Sequence, residues 1–295
     1  MHWYKIVDEL PRQTGVNTVK HRHTQMGQIK FRKLKESIQY TDDSIIVVDK
    51  PSGIPSIPDR WQNPANLLSF LTRMFGKVYP VHRLDKDTSG IMVYARTAEA
   101  HRQLSLDFQH RSVSKTYLAF VEGVPMPLRD IIDIPLRKAK DDSPLMIPTR
   151  KGKPAKTRYR VLESYRQAAL IEAEILTGRT HQIRAHLKAI GHPLLIDPLY
   201  GFNEAVYVSQ WKGKKYKLPR GEEEKPLLSR LTLHSHRLCF THPANKEHME
   251  FTSPLPADLK ALQYQLRKWL GTDDALSEDH TNVKYKTEDG LSTTP

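Results

Sequence analysis

Cysteine is nearly absent from this 295-residue sequence, which contains only Cys239. A single cysteine excludes an intramolecular disulfide and a zinc cluster built on cysteines. The sequence also lacks an apolar run long enough to cross a membrane. Its first residues do not show the basic-then-apolar order of a secretory signal peptide. These absences predict a protein of the reducing cytoplasm with no membrane partner, in which Cys239 fills the core.

Acidic residues are too few to balance the basic ones. Lysine and arginine number 46 against 33 aspartates and glutamates, so the formal net charge is +13 and the pI is about 9.6. A strongly basic chain suits a polyanionic partner, because neutralised phosphates supply much of the affinity for nucleic acid. The charge therefore argues against a small neutral substrate with no anionic partner.

The strongest chemical signal surrounds one aspartate. Asp85 lies between the cationic Arg83 and Lys86, and the apolar, β-rich segment 91–95 follows. Both cations favour the ionised carboxylate that a nucleophile or a base requires. Residues 88–90, Thr-Ser-Gly, are typical of a tight turn into a strand. Local spacing leaves two interpretations open, a reactive carboxylate and an ordinary salt-bridged loop aspartate.

Further blocks follow one another along the chain in a fixed order. They are Val48-Asp49-Lys50-Pro51-Ser52-Gly53, His82-Arg83-Leu84-Asp85 with Thr88-Ser89-Gly90, Lys115-Thr116-Tyr117, Thr177-Gly178-Arg179-Thr180-His181-Gln182-Ile183-Arg184, Gly191-His192-Pro193 and Asp197-Pro198-Leu199-Tyr200-Gly201. Together these blocks, over residues 40–255, resemble the signature of the RluA-type (ribosomal large subunit) pseudouridine synthases. One departure is Ile196, where the family usually has glycine, and we expect a local adjustment of the loop there.

The resemblance implies roles for particular residues. Asp85 would be the essential carboxylate, either attacking the anomeric carbon or helping to form a glycal. Arg184 would pair with Asp85 and keep it ionised. Tyr117 would stack on the extruded uracil, and its hydroxyl is a candidate to take up a proton. Arg83 would fill the gap that the flipped-out uridine leaves, and Ile183 would form an apolar wall behind the base. The remaining motif positions are expected to contact the substrate: His82, Thr88, Lys115 and Arg179.

The resemblance also implies a fold and an activity. The expected fold is α+β, a bent and mostly antiparallel mixed sheet with flanking helices and a central RNA-binding cleft. The expected activity is isomerisation of specific uridines to pseudouridine in structured RNA, with ribosomal RNA as the first expectation and transfer RNA as the second. We expect a monomer that requires no cofactor, no metal and no obligatory protein partner.

Two other functions remain open from the sequence. The first is a catalytically inactive RNA-binding protein that retains the fold, against which the intact set of Asp85, Tyr117 and Arg184 speaks. The second is a glycoside-cleaving hydrolase that uses Asp85. This second function is weaker, because no second acidic residue lies in a comparable motif.

Composition divides the chain into three parts. Residues 1–37 form a basic N-terminal extension, residues 38–271 the catalytic domain, and residues 272–295 a polar, acidic tail that we expect to be disordered. Within the domain, the segment 211–217 interleaves basic and aromatic residues, as suits RNA contact by charge and stacking. A solvated loop is the alternative for that segment.

Local patterns predict the main elements. Helices are predicted at 67–75 with Asn66 as N-cap, 98–110 with Thr97 as N-cap, 180–190 and 259–270; strands at 44–49, 115–122, 157–164, 169–176, 231–241 and 249–253; and an irregular excursion at 124–155. The strands 157–164 and 169–176 are expected to pair as a hairpin, as are 231–241 and 249–253. His181, His186 and His192 suggest a zinc site. Residues five apart on a helix are about 140° apart, however, so the first two face different ways. We therefore expect hydrogen-bonded structural histidines.

Overall fold

The computed structural model describes residues 34–58, 64–140, 143–218 and 221–272. Most of the predicted basic extension and nearly all of the predicted acidic tail lie outside these residues. In the described ranges, no helix has the length and apolarity needed to cross a lipid bilayer.

The described chain alternates between strands and helices. The strands are β1 Ile38–Thr41, β2 Ile45–Lys50, β3 Tyr79–Pro80, β4 Ser89–Ala95, β5 Ser114–Glu122, β6 Arg129–Asp133, β7 Leu136–Lys138, β8 Met146–Pro148, β9 Lys156–Tyr165, β10 Ala168–Ile175, β11 Leu233–Thr241 and β12 His248–Thr252. The helices are α1 Leu67–Phe75, α2 Ala98–His110, α3 Gln182–Ala189, α4 Ser209–Lys212 and α5 Ala257–Leu270, with a 3₁₀ turn at Gly213–Lys215.

One large sheet organises the molecule. Its strand order is β1-β2-β4-β11-β5-β10-β9-β6, with β3 added beside β4 and β12 beside β11, while β7 and β8 form a separate pair. Its pairings are antiparallel except for a short parallel contact between β11 and β4. The predicted α+β class with a mostly antiparallel mixed sheet is confirmed.

Strands β4 and β11 approach each other very closely at Gly90. A Cβ atom there would lie 2.1 Å from the Ser235 carbonyl oxygen, and the Gly90 φ is +111°. We predicted this glycine for a tight turn, but it is the second residue of β4 and serves a close backbone contact. The contact fixes where the loop that carries Asp85 leaves the sheet.

Strand β5 separates two apolar cores on the two sides of the sheet. Tyr117 and its alternate neighbours pack with α1 and α3. Leu118 and Phe120 point the other way and pack with α5. We call these two sides the Tyr117 face and the Leu118 face.

The predicted helix caps and hairpins are confirmed. The Asn66 side chain accepts the Ser69 N–H at 2.9 Å, and the Thr97 hydroxyl oxygen accepts the Ala100 N–H at 3.1 Å. Strands β9 and β10 form one hairpin and β11 and β12 another. These features depend on contacts within a few residues or on regular alternation, which a sequence displays directly.

Three predictions are wrong in detail. The region 124–155, predicted to be irregular, contains β6, β7 and β8. Strand β6 pairs with β9, and β7 and β8 pair with each other across a loop. Helix α3 begins two residues later than predicted, because His181 adopts a left-handed conformation with φ 51°. Cys239 is half-buried rather than in the core, since the alternation of β11 turns its neighbours Leu238 and Phe240 inward instead.

Candidate active site

A cavity of about 420 Å³ opens on the Tyr117 face of the sheet. Its walls come from the loop before β4, from the end of α2, from β5 and from the segment that leads into α3. Every residue that the resemblance implicates lines this cavity: Asp85, Tyr117, Arg184, Arg83, His82, Thr88, Ile183, Lys115 and Arg179. The fold thus gathers residues from widely separated motifs in one place.

The loop that carries Asp85 is hydrogen-bonded to Gly53, the last residue of the block 48–53, and to Ser56 just after it. The Ser56 hydroxyl donates to the Leu84 carbonyl oxygen at 2.8 Å and accepts the Leu84 N–H at 3.0 Å. On the other side of Asp85, the Gly53 N–H donates to the Lys86 carbonyl oxygen at 2.9 Å. These bonds hold the backbone on both sides of the carboxylate.

Lys50 adds a buried tether beneath the same loop. Its side chain is fully buried, and its Nζ donates to the carbonyl oxygens of Pro51, Ile54 and Lys86 at 3.0, 2.8 and 2.9 Å. Burial lowers the pKa of Lys50 to about 7, and neighbouring aspartates oppose this shift. Three acceptors match the three donors of an ammonium group, so the charged form completes the tether.

The Arg184 guanidinium joins two carboxylates. Its Nη1 donates to Asp85 Oδ2 at 2.9 Å, although the two residues are 99 apart in sequence. Its Nε and Nη2 donate to Asp197 Oδ2 and Oδ1 at 2.7 and 2.8 Å. The contact expected between Arg184 and Asp85 is therefore present through one hydrogen bond, whereas the guanidinium forms its two-bond fork with Asp197.

Asp197 anchors the arrangement and was given no role by the sequence analysis. It is fully buried, and its Oδ1 also accepts the N–H groups of Leu199 and Tyr200 at 2.9 and 3.0 Å. Burial disfavours the charge on Arg184, but Asp197 and Asp85 outweigh it and raise the pKa of Arg184 above its ordinary value. The sequence did contain a signal for this role, since Asp197 is the first residue of the block 197–201.

Ile196, which stands where the family usually has glycine, is accommodated in the core. Ile196 is fully buried in the core that contains α5, and its N–H bonds to the Thr232 hydroxyl oxygen at 3.3 Å. The larger side chain therefore fills the Leu118-face core. Asp197 keeps its contact with Arg184.

Tyr117 and Ile183 give the cavity its apolar surface. They are 6% and 4% exposed, and both line the cavity next to Asp85. Burial and the Asp85 charge raise the pKa of the Tyr117 phenol well above its ordinary value, while a hydrogen bond with Ser235 opposes the rise. The phenol therefore stays protonated at neutral pH.

His82 and Lys115 contact the same aromatic ring. The His82 ring stacks on Phe108 with centroids 4.7 Å apart, and the Lys115 Nζ lies 5.2 Å from the Phe108 centroid. His82 Nε2 accepts the Val93 N–H at 3.1 Å. Burial, with a smaller effect of Lys115, lowers the pKa of His82 to about 3, so the ring is neutral. In this structure His82 supports the wall of the cavity.

Cationic residues stand at the rim. Arg83 is exposed and donates from Nη2 to the Thr180 hydroxyl oxygen at 3.0 Å. Arg179 donates from Nε to the Pro154 carbonyl oxygen at 3.0 Å. Thr88, in contrast, is buried, and its N–H donates to the Asp85 carbonyl oxygen at 3.2 Å. The rim can therefore meet a polyanion, while Thr88 shapes the loop.

His181 and Tyr200 are further neighbours of Asp85 that the sequence analysis did not select. His181 Nε2 lies 3.7 Å from Asp85 Oδ2, and its Nδ1 lies 3.2 Å from the Tyr200 hydroxyl oxygen. The Tyr200 ring lies 5.0 Å from the Arg184 guanidinium carbon. Burial lowers the pKa of His181, although Asp85 opposes that shift. A neutral imidazole therefore closes the Asp85 side of the cavity.

The three histidines considered for zinc do not converge. His186 bonds to the Thr157 hydroxyl and to the Ile134 carbonyl oxygen, both at 2.9 Å. His192 bonds to the Glu122 carbonyl oxygen at 2.8 Å. Since His186 and His192 have their own polar partners, the expectation of structural histidines is confirmed for them.

The basic and aromatic segment 211–217 lies away from the cavity. Trp211 packs against the Leu118-face core, and the Lys212 Nζ lies 5.4 Å from the Trp269 ring in α5. Among the described residues that line the cavity, none comes from this segment. Its position across the sheet from the cavity argues against the RNA contact considered for this segment.

The sequence matches the family model described as RNA pseudouridylate synthase over residues 44–189. It is 36% identical over 236 residues to ribosomal large subunit pseudouridine synthase D of Nitrosomonas europaea, covering 78% of this chain and 65% of that protein. It is also 36% identical over 220 residues to the dual-specificity RNA pseudouridine synthase RluA of Escherichia coli, covering 74% of this chain and 92% of that protein.

A solved human structure has a similar fold. It is titled human RNA pseudouridylate synthase domain containing 4, and it shares 27% identity and a TM-score of 0.62 with this chain. The match covers 83% of this chain and 98% of the human one. The likeness therefore extends well beyond the residues that the family model matches.

Proposed function

The chain belongs to the RNA pseudouridylate synthase family, and we propose that it isomerises specific uridines to pseudouridine in structured RNA. We propose ribosomal RNA as the first substrate to test and transfer RNA as the second. Residues 38–271 would be the catalytic unit, acting as a monomer. The observation that carries the proposal is Asp85, held by Arg184 in a cavity beside Tyr117.

The chemistry needs one carboxylate and a site for the base. The glycosidic bond between N1 and the anomeric carbon breaks, the uracil turns, and its C5 bonds to the anomeric carbon. The proton on C5 then leaves and N1 takes up a proton, so the overall change is an isomerisation. Asp85 would either attack the anomeric carbon or assist a glycal route. Arg184 would direct the Asp85 carboxylate, because its own orientation is set by Asp197.

The cavity supports extrusion of the base from the RNA. Flipping a nucleotide costs a few kcal/mol. Stacking on an aromatic ring returns about 1–3 kcal/mol, and Tyr117 lines the cavity in a position to stack. Arg83 is exposed at the rim, where a guanidinium could occupy the space that the base leaves. The protonated Tyr117 phenol is better suited to stacking than to taking up the C5 proton.

The alternative of glycoside hydrolysis lacks a second working carboxylate in the described residues. Hydrolysis requires one carboxyl group to protonate the leaving group and another to activate water or form the glycosyl bond. Asp197 is the carboxylate joined to Asp85 through Arg184, but it is fully buried and both of its oxygens are occupied. This arrangement favours isomerisation over hydrolysis.

The first prediction is that Asp85→Asn abolishes pseudouridine formation and leaves RNA affinity nearly unchanged, because the substitution removes the charge and keeps the size. Pseudouridine would be mapped in ribosomal and transfer RNA treated with each variant. Asp87→Asn is the matched control, since Asp87 is an exposed acid two residues away that does not line the cavity. Turnover near the parent rate in Asp85→Asn would contradict the assignment, and release of free uracil by the parent would favour the hydrolase.

A further inference from the structure

A cluster of metal-ligating side chains lies outside the candidate active site, on the hairpin of β11 and β12. The register pairs Cys239 with Ser114 of β5 on one side and with Glu250 of β12 on the other. Directly paired residues point to the same side of a sheet, and Ser114 alternates in phase with Leu118 along β5. Cys239 and Glu250 therefore lie on the Leu118 face, across the sheet from Asp85.

His248 completes the cluster. It lies two residues before Glu250 on β12, so both side chains point to the same face. Ligand atoms of Cys239, His248 and Glu250 all lie within 4.8 Å of one another. His248 and Glu250 are exposed and Cys239 is half-buried, so an ion in solution can reach all three.

The spacing of these atoms suits a small tetrahedral cation. Zinc binds sulfur at about 2.3 Å and nitrogen or oxygen at about 2.0 Å, which places neighbouring ligands about 3.5 Å apart. The Cys239 sulfur lies 3.6 Å from Glu250 Oε2. No backbone movement is required to bring these two ligands around one ion.

We propose that Cys239, His248 and Glu250 form a surface binding site for a borderline divalent cation, of which Zn²⁺ is the best fit. A thiolate and an imidazole disfavour magnesium and calcium, which prefer oxygen ligands. Three protein ligands leave the fourth position to water. The site is independent of the function proposed above, and it revises the expectation from the sequence that the chain has no metal site.

The hairpin holds the ligands in place before an ion arrives. At its turn, His242 Nε2 lies 2.8 Å from Asp42 Oδ2. At its other end, His236 Nδ1 lies 2.7 Å from the Ser253 carbonyl oxygen. Binding would release the thiol proton to solvent without any change of oxidation state. The ion would then cross-link β12 to β11, the strand with which β12 pairs in the described residues and which lies in the middle of the sheet.

The lone cysteine makes the test specific. Co²⁺ added to the full-length protein under a non-thiol reductant should produce a near-ultraviolet sulfur-to-cobalt charge-transfer band that saturates at one ion per chain. Because Cys239 is the only cysteine in the sequence, the band can arise from no other thiolate. Zn²⁺ should abolish the band by displacement, and Cys239→Ser should lack it.

The other two ligands are tested by His248→Gln and Glu250→Gln. Each should weaken Co²⁺ binding by at least the ~10–100-fold that loss of an outer-shell partner costs at a metal site. His110→Gln, an exposed histidine at the end of α2, is the matched control and should bind like the parent. Far-ultraviolet circular dichroism would show that each variant is folded. Absence of the band, or unchanged affinity in either His248→Gln or Glu250→Gln, would overturn the site.

Discussion

At the scale of single residues, the hydrogen bonds of Arg184 are shared unequally between two carboxylates. Two go to Asp197 and one to Asp85. Asp197 cannot reach solvent and has no other cation within bonding distance among the described residues, whereas Asp85 faces the cavity. Asp197 is therefore a positioning residue, and it acts on Asp85 only through the guanidinium plane of Arg184.

A second prediction tests this arrangement with Asp197→Asn. The substitution places an amide against the guanidinium donors and leaves a buried cation with a weaker partner. Breaking a buried ion pair costs about 3–5 kcal/mol, and we expect the lower end because Asp85 still contacts Arg184. Single-turnover pseudouridine formation should slow at saturating enzyme, while RNA affinity changes little.

Urea unfolding would measure the loss of stability in Asp197→Asn. Glu99→Gln is the control, because it removes the exposed partner of the exposed Arg102 on α2. An exposed ion pair contributes roughly 0–1 kcal/mol. If Asp197→Asn kept the parent single-turnover rate, the orientation of Arg184 would not depend on Asp197.

A third prediction concerns pH and His234. Its side chain is buried, with Nδ1 2.9 Å from the Ser89 hydroxyl oxygen and Nε2 3.0 Å from the Ser253 carbonyl oxygen. Burial lowers the pKa of His234 from 6.5 to about 4. Between these values the unfolded chain binds the proton and the folded chain does not, so stability falls as the pH drops through this range.

His234→Gln should therefore flatten the dependence of the free energy of unfolding on pH between about 4 and 6.5. Urea unfolding at several pH values in that range would measure the slope. His110→Gln removes an exposed histidine and should leave the slope as in the parent. A slope that is equally steep in His234→Gln would assign the acid sensitivity to other groups.

At the scale of elements, the crossing of β4 and β11 decides where the Asp85 loop meets the rest of the site. The fourth prediction is that Gly90→Ala destabilises the fold by at least about 3 kcal/mol, the upper end of ordinary overpacking. The new methyl group would collide with backbone atoms of Ser235, which cannot move as a flexible side chain can. Urea unfolding would measure the loss.

The control for Gly90→Ala is Gly178→Ala. A Cβ atom at Gly178 meets nothing within 4 Å, and its backbone does not have a positive φ. Such a substitution should change stability by no more than about 1 kcal/mol. Equal stability of the two variants would mean that the strands can separate at the crossing without cost.

At the scale of the whole molecule, the net charge of +13 predicts RNA binding that weakens steeply with added salt. The fifth prediction assigns that dependence to particular cations. Arg111→Gln at the cavity rim should reduce the salt slope by about one, because Arg111 is exposed and lines the cavity. A triple variant in which glutamine replaces Lys212, Lys214 and Lys215 should leave the slope unchanged, since this segment lies on the Leu118 face, across the sheet from the cavity. A reversed result would place RNA on the Leu118 face.

The sequence by itself determined the main helices with their caps and the hairpins, while the resemblance of its motifs to a known family supplied the fold class and the set of residues around Asp85. Its motifs carry local turn chemistry, regular alternation and side-chain chemistry, and each can be read without knowing where the chain goes next. The Asn66 cap, for example, depends on atoms three residues away. The resemblance supplied the link between Asp85 and Arg184.

Only the tertiary structure decided how the carboxylates are shared, why Gly90 is glycine and where Cys239 points. Each depends on parts of the chain that only packing brings together: Arg184 with Asp85 and Asp197, β4 with β11, and β5 with β11. Strand register is set by packing over the whole sheet, and a shift of one residue would reverse every side chain. The partners of Arg184 and Cys239 therefore became known only when the strands and α3 were in place.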